Sequence, residues 1–251
     1  LSTLHPVETD AVREEERTDR VLRDAMVDKL RDWGNVRTGP VEAATRAVPR
    51  HVFVPSVTLE QAYGLDSVVT HRDENGRAIS SASDPGVVGA MLEQLDARPG
   101  HRILEIGAGT GYNAALLAEL AGPTGQVTTV DIGAGIAAGA RRGLGAAGYD
   151  RVRVVHGDGE AGHPEHAPYD RIIVTAGAWD VPPAWREQLA PNGRLVVPLR
   201  IQGVTRSVAL ELDGVRPPAE FGRGGSPGAA MSWRACGSKS IRRKAPATPP
   251  P

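Results

Sequence analysis

One short stretch constrains this chain more than any other: Leu104-Glu105-Ile106-Gly107-Ala108-Gly109-Thr110-Gly111-Tyr112. Arg102 to Ile106 reads as a buried strand and Tyr112 to Ala121 as a helix, so the glycines fall at a strand-to-helix turn. Such a turn lets a ligand approach the backbone, and the helix start offers free N–H groups. The spacing departs from the dinucleotide fingerprint G-x-G-x-x-G. Gly111 arrives one residue early, and Tyr112 stands where that fold needs a small residue. Glu105, two residues before the first glycine, repels a pyrophosphate and favours a cationic ligand. A sulfonium with an amino-acid tail meets that requirement better than a nicotinamide dinucleotide does.

The rest of the pattern sets this turn in a larger frame. Stretches Gln126 to Ile132, Arg151 to Val155, Asp170 to Thr175, Leu195 to Leu199 and Ser207 to Leu212 read as strands. Helical stretches at 112–121, 134–147 and 184–189 separate most of them. This predicts an α/β fold: a doubly wound, mostly parallel sheet with right-handed crossovers. Asp131, with Ile132 after it, closes the next strand about 20 residues downstream, where an acid accepts ribose hydroxyls. The third strand ends in His156-Gly157-Asp158-Gly159, an acid suited to an adenine amino group. Turn glycines and solvated acids would explain any one of these features. Three acids at three successive strand ends are harder to assign to chance.

Composition bounds the remainder. Of 251 residues, 40% are hydrophobic, enough for one α/β domain with appendages. A net charge of -1 argues against an overall nucleic-acid footprint. The single cysteine, Cys236, excludes a disulfide framework or a Cys-rich zinc site within the chain and suits a cytoplasmic setting. No apolar run approaches the ~20 residues of a membrane span. Residues 1–16 read as a flexible polar leader. Residues 17–85 read as a helical and loop cover, with Leu22, Met26, Leu30 and Trp33 at helical spacing and loop over 66–85. The core spans 86–214. Residues 215–251, basic and rich in Gly, Pro and Ser, read as a disordered tail. His163-x-x-His166 is too sparse for a zinc site and reads as a polar surface loop, so no metal is expected.

The sequence also resembles a known family. His51-Val52-Phe53-Val54-Pro55, Ala62-Tyr63 and Met91-Leu92-Glu93-Gln94-Leu95 are similar to segments of protein-L-isoaspartate O-methyltransferases. So are the Leu104 to Tyr112 turn, Gly157-Asp158-Gly159, Tyr169 to Ala176 and Gly193 to Pro198. The glycine turn itself resembles motif I of class I methyltransferases. The resemblance, over residues 20–200, implies a Rossmann-like fold with an N-terminal helical cover. It also implies S-adenosyl-L-methionine as cofactor and a peptide or protein carboxylate as methyl acceptor. Cofactor residues would be Glu105, Gly107, Gly109, Gly111, Asp131, Ile132, Asp158 and Gly159.

The family's functional serine has two candidate positions. Aligning back from Met91 and Pro85 places it on Ser83, and aligning forward from Gly76 and Ile79 places it on Ser80. The tighter Ser-x-Pro match favours Ser83. Thr175, at a strand end, would be a wall of the active site. The tail after Asp213 does not resemble the family's continuation, so a cofactor-binding protein without turnover stays open. The serine-rich segment and Leu22 to Pro55 more closely resemble a subgroup that methylates Asp in precursor peptides, giving aspartimide or isoaspartate. Repair of isoaspartate in aged proteins is the alternative. A carboxylate, with a pKa near 4, is already the nucleophile at neutral pH, so no general base is needed. The sequence does not set the oligomeric state.

Overall fold

The first element extends well beyond its apolar period. In the computed structural model, which describes residues 6–201, 204–212 and 233–240, helix α1 runs Pro6–Asp32. The expected flexible leader is therefore corrected from Pro6 onward, and residues 1–5 lie outside the described residues. Proline suits a first helical turn. Arg17 pairs with Glu14 at 3.5 Å and Arg23 with Asp19 at 3.4 Å, at helical spacing. A helical half without an apolar stripe carries no hydrophobic period, which is why it reads as a leader. Further along, α1 buries Met26, Val27 and Leu30. Helix α2 (Gly39–Ala47) is tied to it by Arg46, which reaches Asp24 at 2.9 Å and Asp28 at 2.5 Å. A 3-10 turn at Arg50–Phe53 and the short helix α3 (Leu59–Ala62) complete the cover.

The expected loop over 66–85 is also corrected. Strands β1 (Val68–Arg72) and β2 (Ala78–Ala82) form an antiparallel hairpin. Its tip is a tight turn. Asp73 Oδ1 accepts from the N–H groups of Asn75 (2.9 Å) and Arg77 (2.8 Å), and Gly76 has φ +77°. Serines mask strand propensity on one arm, but Val68, Val69 and Thr70 on the other supply it. Helix α4 (Pro85–Leu95) begins at Pro85 because Asp84 caps it, accepting from Gly86 N at 2.6 Å.

The core continues through β3 (Arg102–Ile106), α5 (Tyr112–Ala121), β4 (Gln126–Asp131), α6 (Ala134–Ala146), β5 (Arg153–His156) and β6 (Tyr169–Val174). It ends with α7 (Pro183–Glu187), β7 (Leu189–Ile201), β8 (Val204–Leu212) and β9 (Trp233–Ser240). The sheet order is β5-β4-β3-β6-β7-β8-β9. Pairings from β5 to β7 are parallel, whereas β8 and β9 join antiparallel. The doubly wound, mostly parallel sheet expected from sequence is thus present. β7 starts at Leu189, ahead of the strand expected from Leu195, and runs on through Asn192, which takes φ +62°.

Strand β9 corrects the disordered reading of the tail for residues 233–240. An edge strand offers unpaired backbone groups to any extended segment, whatever its side-chain period. The remaining tail, 213–232 and 241–251, lies outside the described residues.

Alternate side chains feed two cores. Ile103, Val127, Ile173 and Val196 join Leu92, Leu116 and Leu117 in one. Leu104, Val130, Ile172, Leu195 and Val197 join Trp185 in the other. Met26, Leu30, Phe53 and Tyr63 of the cover belong to the first core, so cover and sheet share one interior. Fully burying a Leu such as Leu30 or Leu116 contributes about 1.5–3 kcal/mol. Among the described residues no helix is long and apolar enough to cross a membrane.

Candidate active site

Strand order reverses between β3 and β6, which opens a crevice at the carboxyl ends of the parallel strands. The glycine turn leaves β3 into this crevice. Gly107 has φ +101°, and a Cβ there would lie 2.8 Å from Thr175 Oγ1 and 3.1 Å from Ala176 N. Gly111 has φ +90°, and a Cβ there would meet Ala140 O at 3.0 Å. No residue with a side chain fits either place without displacing backbone. Thr175 fixes the turn from beneath, its hydroxyl lying 2.6 Å from Gly107 O and 3.1 Å from Ile106 O. Thr175 thus serves the turn's backbone, a more specific role than a wall.

The three acids differ sharply in environment. Asp131 accepts from Gly109 N at 3.1 Å through Oδ2 and from Gly133 N at 2.9 Å through Oδ1. Each oxygen keeps acceptor capacity for a further donor. Beside it Ile132 is 72% exposed, a bare apolar wall. Asp158 is exposed and caps the 3-10 turn Gly159–Ala161 through Glu160 N at 2.9 Å. At Gly159 a Cβ would strike Ile106 Cγ2 at 2.5 Å.

Glu105 is fully buried. Its Oε1 accepts from Asn113 Nδ2 at 2.8 Å, but Oε2 has no partner. Burial pushes its carboxyl up to about 7; the nearby Thr129 hydroxyl and Asn113 amide pull it back, and the Asp131 charge adds to the rise. An orphaned carboxylate oxygen behind a glycine turn is costly unless a cation or donor reaches it. The residues therefore fit a cofactor with a cationic amino-acid tail, ribose hydroxyls and a flat base.

The serine segment lies beside this turn. A Cβ placed on Gly109 would come 3.9 Å from Ser81 O. Ser80 Oγ accepts from Thr70 Oγ1 at 3.3 Å across the hairpin. The Ser83 carbonyl accepts from Arg50 Nη2 at 2.9 Å. Arg50, absent from the sequence-based candidates, is 0% exposed. It also donates to Ala62 O at 2.8 Å and lies 4.9 Å over the Tyr112 ring. Its removal from water lowers its pKa from the usual guanidinium value. This one side chain clamps the cover, the serine segment and the start of α5 together. The available signal was a charged residue between Pro49 and the apolar run that follows it. Of the two tryptophans after β6, Trp185 is buried and donates to Gly159 O at 2.7 Å, whereas Trp179 is 87% exposed.

Fold, turn and acids together define a Rossmann-like class I methyltransferase. The protein-L-isoaspartate(D-aspartate) O-methyltransferase family matches residues 21–211. A protein-L-isoaspartate O-methyltransferase of Methanopyrus kandleri is 46% identical over 187 residues, covering 74% of this chain and 80% of its own. A solved protein-L-isoaspartate O-methyltransferase superposes with a TM-score of 0.69 at 32% identity, over 75% of this chain and 59% of that one. A Plasmodium falciparum structure described as a complex with S-adenosyl-L-homocysteine shares the fold, with a TM-score of 0.66 at 16% identity, over 85% of this chain and 93% of that one. The chain belongs to the protein-L-isoaspartate(D-aspartate) O-methyltransferase family. It is an S-adenosyl-L-methionine-dependent protein carboxyl methyltransferase.

Proposed function

We propose that this enzyme methylates the free carboxylate of L-isoaspartyl residues in damaged proteins. The observation that carries this reading is the family match over residues 21–211, with relatives named for that activity at 46% identity. When bound, the cofactor supplies a methyl group already activated by a sulfonium charge. The orphan oxygen of Glu105 receives its cationic end. Asp131 accepts the ribose hydroxyls without losing its bonds to Gly109 and Gly133. Ile132, Asp158 and Gly159 hold the base, and the glycines at 107, 109 and 111 let the ligand reach the helix start.

The acceptor carboxylate, ionised at neutral pH, needs position rather than a base. Holding it in line with the methyl group can supply ~7–11 kcal/mol. We assign the Ser83 hydroxyl to that task and Ser80 to the hairpin pairing that sets the segment's shape. Thr175 holds the glycine turn.

A second reading, methylation of an ordinary Asp in a precursor peptide, is favoured by one feature: the serine-bearing hairpin Val68–Ala82 at the crevice. Mass spectrometry of two matched peptides, one with isoaspartate and one with aspartate, separates the readings. One added methyl on the isoaspartyl peptide alone is expected. Methylation of the aspartyl peptide alone would replace the first reading with the second. S-adenosylhomocysteine binding with no methyl on either would identify a binding protein that has lost turnover.

A further inference from the structure

The connection between β5 and β6 holds a cluster that methyl transfer does not use. His163, Glu165 and His166 each present one ligand atom, all within 4.8 Å of one another. The two imidazole centroids are 4.9 Å apart with planes at 61°, and His163 Nε2 lies 3.7 Å from Glu165 Oε2. His-x-x-His alone offers two donors and reads as a surface loop; the fold adds a carboxylate between them.

His163 is fixed from behind. Its N–H donates to Gln188 Oε1 at 2.7 Å, and its carbonyl accepts from the Tyr169 hydroxyl at 2.7 Å. Gln188 also donates to Ala161 O at 2.8 Å, so one side chain staples both ends of this turn. His163 Nε2 is closed off from solvent and has no hydrogen-bond partner. A buried ring nitrogen without a partner is destabilising unless something is coordinated there.

We propose that His163, Glu165 and His166 form a binding site for a divalent transition-metal ion that clips the β5–β6 connection. Two imidazoles and one carboxylate suit zinc, cobalt or nickel rather than magnesium or calcium. Ligand atoms around a tetrahedral zinc ion lie about 3.4 Å apart, so the donors must close by roughly an ångström. The Glu165 side chain, 78% exposed, is free to turn toward the fixed His163. His166 borders a cleft of about 540 Å³ that also touches Thr124, Gln126 and Arg153, leaving room for water or an anion at the open position. Arg153 opposes the cation and moderates its affinity. The cleft includes Gln126, where β4 starts, at the opposite sheet edge from the cofactor crevice. The same connection carries Asp158 and Gly159, so the clip would steady the base-binding end of the site from outside it.

The test uses the full-length, chelator-treated protein titrated with Co²⁺ and then Zn²⁺, without cofactor. We expect one Co²⁺ per chain with visible ligand-field bands, displaced by Zn²⁺. A metal-dependent rise in the thermal midpoint should accompany binding. His166→Gln and Glu165→Gln, both of which leave His163 and its hydrogen bonds in place, should weaken binding about tenfold or more while each protein keeps the metal-free midpoint of the parent. A parent protein that binds neither ion overturns the proposal. So does binding that survives unchanged in both variants.

Discussion

At Gly107 a single added carbon would strike Thr175 Oγ1 at 2.8 Å, whereas at Gly76, in the hairpin turn, it would meet nothing within 4 Å. The contrast holds across the two regions that meet at the crevice. The glycine turn is set by evenly paired parallel strands on both sides, and β3 is buried almost throughout. The serine hairpin is largely exposed, and its register shifts twice within five residues. One half has a single solution. The other tolerates change in length, sequence and pairing.

Substitutions should separate the two halves, beginning with the severest. Gly107→Ala forces a side chain into positive φ and onto Thr175. We expect a loss of about 1–3 kcal/mol in stability, read from denaturant unfolding, and no measurable S-adenosylhomocysteine binding by calorimetry. Asp131→Ala removes the acceptor for two backbone N–H groups and for the ribose. Cofactor affinity should fall more than about 100-fold, the equivalent of losing two hydrogen bonds to a charged group. Ser83→Ala should leave S-adenosylhomocysteine affinity unchanged and lower kcat/KM for an isoaspartyl peptide about tenfold or more, as for one hydrogen bond to a charged group. An equal loss in cofactor affinity would break the division between halves. Gly76→Ala should cost only the left-handed strain, about 1 kcal/mol, with kcat unaltered.

The same division governs what was legible in the sequence. The strand-turn-helix around Gly107 reads correctly because its signals are local: a buried apolar run, glycines needing positive φ, and acids at strand ends. The hairpin reads as loop because Ser80 and Ser81 hide a ladder that only pairing reveals. The start of α1 is hidden because no continuous apolar stripe marks it in the sequence. Arg50 escapes detection for another reason. Its partners Ala62, Ser83 and Tyr112 are brought together only by the tertiary fold. Strand β9 is legible to backbone pairing alone. Glu165 joins His163 and His166 only once the β5–β6 connection has taken its shape.

Central to this account is that the orphan oxygen of Glu105 selects a cationic cofactor. Folding raises this carboxyl from 4.5 to about 7. Below about pH 7 the protonated form is thus favoured in the folded, ligand-free protein. The stability it carries is fully present below about 4.5 and is lost as pH rises through about 7. A cationic ligand tail reverses this preference by pairing with the ionised form. The direct measurement is calorimetric titration with S-adenosylhomocysteine at about pH 5.5 and about pH 8, for the parent and for Glu105→Gln. The parent should bind more tightly at the higher pH, and Glu105→Gln should bind weakly with little pH dependence. Equal affinity of parent and Glu105→Gln at both pH values would contradict the account.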